Sequence, residues 1–395
     1  MIKAASAFTF EVDDIEHACL ELKKQISEKL TLKRNSVGIV QCNPDFVEAG
    51  IMEKLYSEFG IPLAGGTTVS SASNDAAGGM MCSLLVLTAD DVEFVVSHTT
   101  GLEKDFPAEL RHSFSEALAK PRELPGAPLR LALVFPPVID AIAGDSYVEA
   151  IESVCGTVPV FGSLAVDDTL TDFARSASVY NGTALKREMS YILFFGDVNP
   201  RFFMATVPKQ FNLAESNAVI TRADDNVAYE INNMRAIDYF ESIGFAQDGV
   251  LKLGVQYLPL LLTLPDSVDQ IPFVRAILRI DPDGSVVTRG KMFEGAHVAF
   301  GSHFGIDVMS ASAETITQIA QYRDINAALI FSCIIRQLVI GQDSLRELTQ
   351  VKDILKTDIP FIASYVCGEI SPTSVGSDNN ACNRFHNYTF ITCLL

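Results

Sequence analysis

SVGIVQCNPDFVEAGIMEKLYSEFGIPLAGGTT, residues 36–68, consists of an apolar strand, a capped helix and a second apolar strand that runs into a Gly-rich turn. The same pattern returns in residues 130–163 and in residues 326–364. Each copy is long enough for a βαβ crossover, which parallel pairing of its two strands requires. The repeat therefore predicts an α/β fold of strand-helix-strand modules with mixed sheets, and a ligand at the carboxyl ends of their strands.

Helix signals support this interpretation. In the first copy Asn43 is a good N-cap, Pro44 fits the first helical position, and Gly60 suits the residue after the last turn. In the third copy Ser344 and Glu347 have the spacing of a capping box. An amphipathic helix is predicted ahead of each copy, over residues 14–30, 107–119 and 311–322.

Two further strand pairs and one different region complete the chain. Residues 84–98 and 190–206 each read as two strands around a turn, at Asp90-Asp91 and at residues 196–200, and we expect antiparallel pairs there. Residues 211–309 contain a predicted helix (235–243), a hairpin turn (281–284) and a strand-like stretch (297–309). We predict two domains, residues 1–222 with two modules and residues 223–395 with one module plus the inserted hairpin region.

Composition restricts the functional class. The chain has 395 residues and a net charge of −19, which repels phosphate backbones and makes a nucleic-acid partner implausible. The longest apolar run, residues 257–264, is too short to span a bilayer, and the first residues lack the apolar core of a signal peptide. Eight cysteines without a CxxC pair indicate reduced thiols. We therefore expect a cytoplasmic protein without membrane insertion.

Several motifs in order resemble the FIST family of bacterial sensory proteins. In the N-terminal half they are IPLAGGTT, VPVFGSLAVDD and YILFFGD; in the C-terminal half they are VAYEINNMRAIDYFESIG, VRAILRIDPDGSVV, FEGAHVAF, FSCIIR, PFIASYVCGEISP and RFHNYTFIT. The resemblance implies a small-ligand sensor rather than an enzyme, with amino acids among the proposed ligands. It also implies output through a separate partner such as a histidine kinase or a cyclic-nucleotide enzyme. A branch in which FIST domains fill the chain is similar to haem-binding nitric-oxide sensors, so haem is a second candidate ligand.

The residues suggest a site in the third module. The following all border its predicted strands at the end where ligands collect: Cys333, Arg336, Gly368, Glu369, Arg384, His386 and Asn387. Arg336 could bind a carboxylate and Glu369 an ammonium, a combination that suits an amino acid. The alternative is a structural Arg336–Glu369 ion pair. Cys333 is either a buried packing residue or a reactive thiol.

Histidines and nucleophiles define the other hypotheses. A haem would need an axial ligand, and the candidates are His98, His297, His303 and His386, although each fits a structural role better. A hydrolase or transferase could use a Cys333–His386 pair, or Ser163 or Ser364 at a strand end. The chain lacks a G-x-S-x-G elbow and a P-loop, so we expect no catalysis. We expect no protein-bound metal.

Overall fold

The structure is a computed structural model that describes residues 1–169, 173–206, 218–265, 271–301, 305–355, 359–376 and 379–395. Short 3₁₀ turns cover Val255–Tyr257 and Gly341–Asp343. The α-helices of the described residues are α1 Ile15–Lys29, α2 Pro44–Glu48, α3 Ile51–Phe59, α4 Leu102–Asp105, α5 Ala108–Ala119, α6 Gly144–Cys155, α7 Ala236–Ser242, α8 Gly305–Ile319, α9 Ile334–Ile340 and α10 Arg346–Leu355.

The strands account for most of the remaining regular structure. In the first half of the chain they are β1 Lys3–Thr9, β2 Asn35–Cys42, β3 Leu63–Thr67, β4 Ser71–Ser73, β5 Ala77–Gly78, β6 Cys82–Ala89, β7 Val92–His98, β8 Leu129–Phe135, β9 Val160–Ser163, β10 Ser178–Tyr180, β11 Thr183–Leu185, β12 Ser190–Gly196 and β13 Arg201–Ala205. In the second half they are β14 Ala218–Asp224, β15 Val227–Ile231, β16 Met234–Arg235, β17 Ala246–Gln247, β18 Val250–Leu251, β19 Leu260–Thr263, β20 Phe273–Arg275, β21 Ile277–Ile280, β22 Val286–Thr288, β23 His297–Phe300, β24 Ala328–Cys333, β25 Phe361–Val366, β26 Glu369–Val375, β27 Ala381–His386 and β28 Phe390–Leu394.

The three repeats form three parallel strand pairs, as predicted. β2 pairs with β3, β8 with β9 and β24 with β25, all parallel, and helices connect the two strands of each pair. Asn43 caps α2 through its side chain, Pro44 opens that helix, and Gly60 ends α3 in the left-handed conformation. The α/β fold class with mixed sheets is confirmed.

Each module receives a hairpin from another module. Sheet one, built on β2 and β3, is extended by β10 and β11, which follow the second module. Sheet two, on β8 and β9, is extended by β26 and β27, which follow the third module. Sheet three, on β24 and β25, is extended by β4 and β5, which follow the first module. The exchange is cyclic, so the second half of the chain shares sheets with the first half.

The expected hairpins after modules one and two are wrong. β6 lies between β1 and β2, so both of its edges are occupied, and β7 pairs instead with β12 in sheet two. Likewise β12 lies between β7 and β8, and β13 crosses to sheet three to pair with β28. Asp90 and Asp91 form the bend between β6 and β7. A turn motif therefore marks the end of a strand but not the sheet that the next strand joins.

The inserted region forms a sheet of its own, built mainly from β14, β15, β19, β20, β21, β22 and β23. The hairpin around residues 281–284 is confirmed as β21–β22, and the helix over 235–243 as α7. The strand-like stretch from residue 297 is a strand only to Phe300, and α8 begins at Gly305. This helix is the predicted third amphipathic helix, with an earlier start.

The main core lies where the three sheets face each other. Phe331 of sheet three stacks on Phe161 of sheet two at 5.4 Å between ring centroids, and Phe135 meets it edge-on at 6.3 Å. The helices cover the outer faces of the sheets over separate apolar clusters. A Cβ at Gly65 or Gly162 would collide with the backbone of the neighbouring parallel strand, so glycine is required there. None of the described helices is long and apolar enough to cross a membrane.

Candidate functional site

A cavity of about 130 Å³ lies at the carboxyl ends of β24 and β25, against the inserted sheet. Its polar lining consists of Gln256, Tyr257, Arg289, Cys333, Cys367 and Asn387. Its apolar walls are Phe173, Ala276, Leu278, Ile334, Ile335 and Leu338. Two parallel strands of module three end at this cavity, at the end where the sequence predicts a ligand, and the site itself stays a prediction.

Arg289 is the cation of the cavity. It follows β22 and is only 3 % exposed. Its Nη1 lies 3.3 Å from an oxygen of Asp140, a carboxylate that is exposed and also 3.7 Å from Arg279. Its guanidinium carbon is 5.2 Å from the ring centroid of Phe173. The Nε is buried, with almost no accessible surface, and has no hydrogen-bond partner among the described residues.

Two thiols border the cavity, and neither is activated. Burial, and then the charge of Glu369, raises the pKa of Cys333 well above its usual value. Burial also raises the pKa of Cys367, although the nearby Arg289 partly opposes this. Both side chains are therefore neutral thiols at physiological pH, and the packing interpretation of Cys333 suits them better than a nucleophilic one.

Glu369 lies at the first position of β26, beside Ser163 of β9, and is fully buried. Its Oε2 accepts hydrogen bonds from the backbone N–H and the hydroxyl of Thr389, at 3.2 and 2.7 Å. Its Oε1 has no hydrogen-bond partner among the described residues. Burial raises the pKa of Glu369 to about 8, because the bonds from Thr389 only partly compensate for desolvation.

The structure corrects the role of Arg336. It pairs with Glu347 rather than Glu369, with its Nη2 2.7 Å from Oε1, and both side chains are fully buried. Ser312 and Ser332 donate to the same carboxylate, and Arg336 also donates to the carbonyls of residues 388 and 308. Glu347 is therefore not the second half of a capping box. The helix α9 carries Arg336 away from the cavity, toward α8 and α10.

The charge state of this pair follows from its contacts. Burial alone would raise the pKa of Glu347. The charge of Arg336, with hydrogen bonds from Arg336, Ser312 and Ser332, holds that pKa below its ordinary value instead. The pair is ionised and its main partners are satisfied, which is the pattern of a structural ion pair.

The remaining predicted residues divide between structural roles and the cavity. Gly368 has φ +132°, and a Cβ there would collide with the ring of Phe385, so the space beside this glycine is filled by that ring. Asn387 does line the cavity, and its Oδ1 accepts from the backbone N–H of Ala276 at 3.2 Å. Arg384 stacks on Phe273 at 4.1 Å and donates to the carbonyl of residue 271.

The candidate haem ligands are not brought together. His98 lies on β7, where its Nδ1 is 2.8 Å from the carbonyl of Thr99 and its ring packs on Tyr180. His297 begins β23 and is exposed, and the Nε2 of buried His386 is 3.2 Å from the carbonyl of Ser371. None of these three lines the cavity, and His303 lies outside the described residues.

The nucleophile candidates also have other partners. Ser364 donates to Gln41 at 3.2 Å, and Ser163 lies in the register position opposite Glu369. Within the described ranges, no group of three or more histidine, cysteine, aspartate or glutamate side chains is arranged to hold a metal ion.

Sequence reasoning missed Arg289, Cys367 and Phe173, which come from three separate parts of the chain. Arg289 follows a short strand of the inserted region, and Phe173 belongs to a loop after module two. An arginine directly after an apolar strand was the available signal. Only the packing of the inserted sheet against module three places it at the ligand end.

Comparison with known proteins agrees with this architecture. Residues 36–234 match the FIST N domain, and residues 236–372 match the FIST C domain. The chain belongs to the FIST family. FIST domains are sensory domains of signal-transduction proteins. Comparison with curated protein sequences found no match.

Two solved structures are similar to the FIST chain over its whole length. A chorismatase crystal structure has 11 % sequence identity and a TM-score of 0.34, with 100 % of this chain and 99 % of that chain covered. A cyanuric acid hydrolase has 9 % identity and a TM-score of 0.33, with the same coverage. At these scores, neither likeness bears on the activity of the FIST chain.

Proposed function

We propose that this FIST protein is a cytoplasmic sensor of a small carboxylate metabolite, such as an amino acid or a similar compound. The ligand would occupy the cavity at the ends of β24 and β25. The output would pass to a separate signalling partner, such as a histidine kinase or a cyclic-nucleotide enzyme. The observation that carries the proposal is the buried Arg289, a cation in the lining of this cavity whose guanidinium keeps one unsatisfied donor.

The chemistry of the cavity supports a binding role. A buried guanidinium is stable only when its donors are satisfied, and a bound carboxylate would satisfy them in a fork geometry. The cavity, at about 130 Å³, is small beside typical ligand pockets of roughly 300–1,000 Å³, which favours a metabolite of a few heavy atoms. The high pKa of Cys333 and Cys367 disfavours a thiolate nucleophile in the same place.

Helix α9 offers a route from the cavity to the surface. Ile334, Ile335 and Leu338 line the cavity, while Arg336 of the same helix bonds to α8 and α10. A ligand that displaces α9 would therefore shift a buried ion pair that holds two outer helices.

The cytoplasmic part of the proposal is supported by the cysteines, since all eight are free thiols, as is usual in a reducing compartment.

Thermal stabilisation by a metabolite panel tests the proposal. A ligand that binds only the native state raises the melting temperature, and we expect at least one small carboxylate to do so. Arg289→Gln should abolish this shift. Arg279→Gln is the matched control, because Arg279 also contacts Asp140 but is exposed and away from the cavity lining. A shift that survives Arg289→Gln would place the ligand elsewhere.

A further inference from the structure

The cavity joins one cation to mostly apolar walls. Arg289 is its charged lining residue among the described ones, and Phe173, Leu278, Ile334, Ile335 and Leu338 surround the space. An apolar wall favours a hydrocarbon group, while the buried guanidinium favours an anion. The two preferences are met by one molecule with an anionic head and an apolar body.

Arg289 and Asn387 are two polar residues of the lining that could contact that head, beside Gln256 and Tyr257. The Nε of Arg289 is buried and has no partner among the described residues. Asn387 also lines the cavity, and its Oδ1 is engaged by the N–H of Ala276, which leaves its amide N–H₂ as a donor. A carboxylate matches the planar guanidinium with two parallel hydrogen bonds, so it suits an arginine better than a single-atom anion does.

A negatively charged partner for an ammonium group is missing from the described lining of the cavity. No carboxylate lies among the described residues that line the cavity. Glu369 is fully buried outside this lining, with Oε2 bonded to Thr389. Burial also raises the pKa of Glu369 to about 8, so it carries a proton at physiological pH. An amino acid would therefore bury its ammonium without a compensating charge.

We propose that the ligand is a short, branched or straight apolar carboxylate that lacks an ammonium group, such as a saturated acid of about four to six carbons or its 2-oxo analogue. This inference rests on the proposed function, because it assumes that the cavity is the sensory site. It narrows the ligand from amino acids and similar metabolites to carboxylates whose other end is uncharged.

Isothermal titration with a matched set of probes tests the inference. The set is 4-methylpentanoate, leucine and 3-methylbutylamine, which share an apolar body and carry the carboxylate alone, both charged groups, or the ammonium alone. We expect 4-methylpentanoate to bind at least about ten-fold more tightly than leucine, and the amine not to bind. Arg289→Gln should weaken 4-methylpentanoate by about ten-fold or more, and Arg279→Gln should leave its affinity unchanged.

The outcomes separate the two proposals. If leucine binds as tightly as 4-methylpentanoate, the ammonium is accommodated, and this inference fails while the sensory site stands. If neither these probes nor a broad carboxylate panel binds, both proposals fail. Should Arg289→Gln not fold, Leu278→Phe adds bulk to a half-buried wall without removing a charge. Unchanged affinity for 4-methylpentanoate in that variant would overturn the inference.

Discussion

Two buried arginines of this protein sit in opposite situations. Arg336 is fully buried and bonded to an ionised carboxylate, a hydroxyl and two carbonyls. Arg289 is almost as buried, but it shares one exposed carboxylate with Arg279 and keeps an unpartnered Nε beside a cavity. Arg336 belongs to α9, which follows β24, and Arg289 lines the cavity at the carboxyl end of that strand.

The difference shows how to separate a structural charge from a binding charge. A buried cation whose donors all bond to neighbouring helices stabilises the fold. A buried cation that lines a cavity and keeps an unsatisfied donor is a candidate for ligand binding. Two glutamates repeat the contrast, since Arg336 keeps Glu347 ionised while burial keeps Glu369 protonated. From the sequence, Arg336 and Glu369 were candidates for ligand binding, Glu347 was part of a predicted capping box, and Arg289 was not singled out.

The largest expected effect is on the structural side. Arg336→Ala leaves Glu347 buried without its cation, so we expect the free energy of unfolding to fall by about 3–5 kcal/mol. Urea denaturation followed by circular dichroism measures this. Arg346→Ala, at an exposed arginine of α10, is the control and should change stability by about 0.5 kcal/mol or less. If Arg336→Ala lowers the free energy of unfolding by less than about 1 kcal/mol, Arg336 is not a structural cation of the kind described.

The two glutamates should give stability opposite pH dependences. The ordinary pKa of Glu369 is 4.5 and its folded-state pKa is about 8, so the unfolded chain binds fewer protons between these values. The contribution of Glu369 to stability therefore falls as the pH rises through this window, by about 1.4 kcal/mol per pH unit. The pKa of Glu347 is lowered, so its contribution is lost as the pH falls below about 4.5.

Glu369→Gln tests the pH dependence of stability that is due to Glu369. At pH 5 the variant and the wild type should have similar melting temperatures, because both side chains are neutral. At pH 8 the variant should be more stable by a few kcal/mol, since Gln never acquires the buried charge. Parallel pH profiles for the two proteins would mean that Glu369 is not protonated in the folded state.

A smaller change in stability is expected at the cavity. Arg289→Gln removes a cation whose acidic partner is exposed, so we expect the free energy of unfolding to change by about 1 kcal/mol or less. The comparison with Arg336→Ala under the same urea conditions is the measurement. A loss as large as that of Arg336→Ala would make Arg289 a structural residue.

Thiol labelling sharpens the comparison without a change in stability. Cys382 is exposed and should react with a disulfide reagent in the native protein. Cys333 and Cys367 should react only after unfolding, because burial raises their pKa. Mass spectrometry of the labelled peptides identifies the sites. Rapid native labelling of Cys333 would revive the nucleophile hypothesis.

The parallel modules could be predicted because their signals are local. An apolar run, an Asn43 cap, a Gly60 stop and a second run with Pro at its start lie within about 35 residues. The partners of β7 and β13 could not be predicted, since the residues of a strand do not specify which sheet edge is free. For the same reason the hairpins exchanged between modules have no sequence signature.

The sequence pointed to the strand ends of the third module, where a cavity lies, but not to the charged residue that lines this cavity. The βαβ rule led to Cys333 and Asn387, which do line the cavity, because the rule concerns strand ends. It could not distinguish Arg336 from Arg289, because α9 turns the first away and the inserted sheet brings the second in. Arg336 and Glu347 are 11 positions apart, which no helical spacing pairs.

The exchanged hairpins also constrain the order in which the chain can fold during synthesis. β4 emerges from the ribosome early, yet its partner β25 is made almost 300 residues later. In the same way β9 is made well before its partner β26, and β3 before its partner β10. No sheet is therefore complete when its own module has been translated. We expect nascent chains arrested before residue 361 to expose the edge of β4 and to be cleaved there by a protease that spares the finished protein. The early modules would then depend on a chaperone until the last one is made.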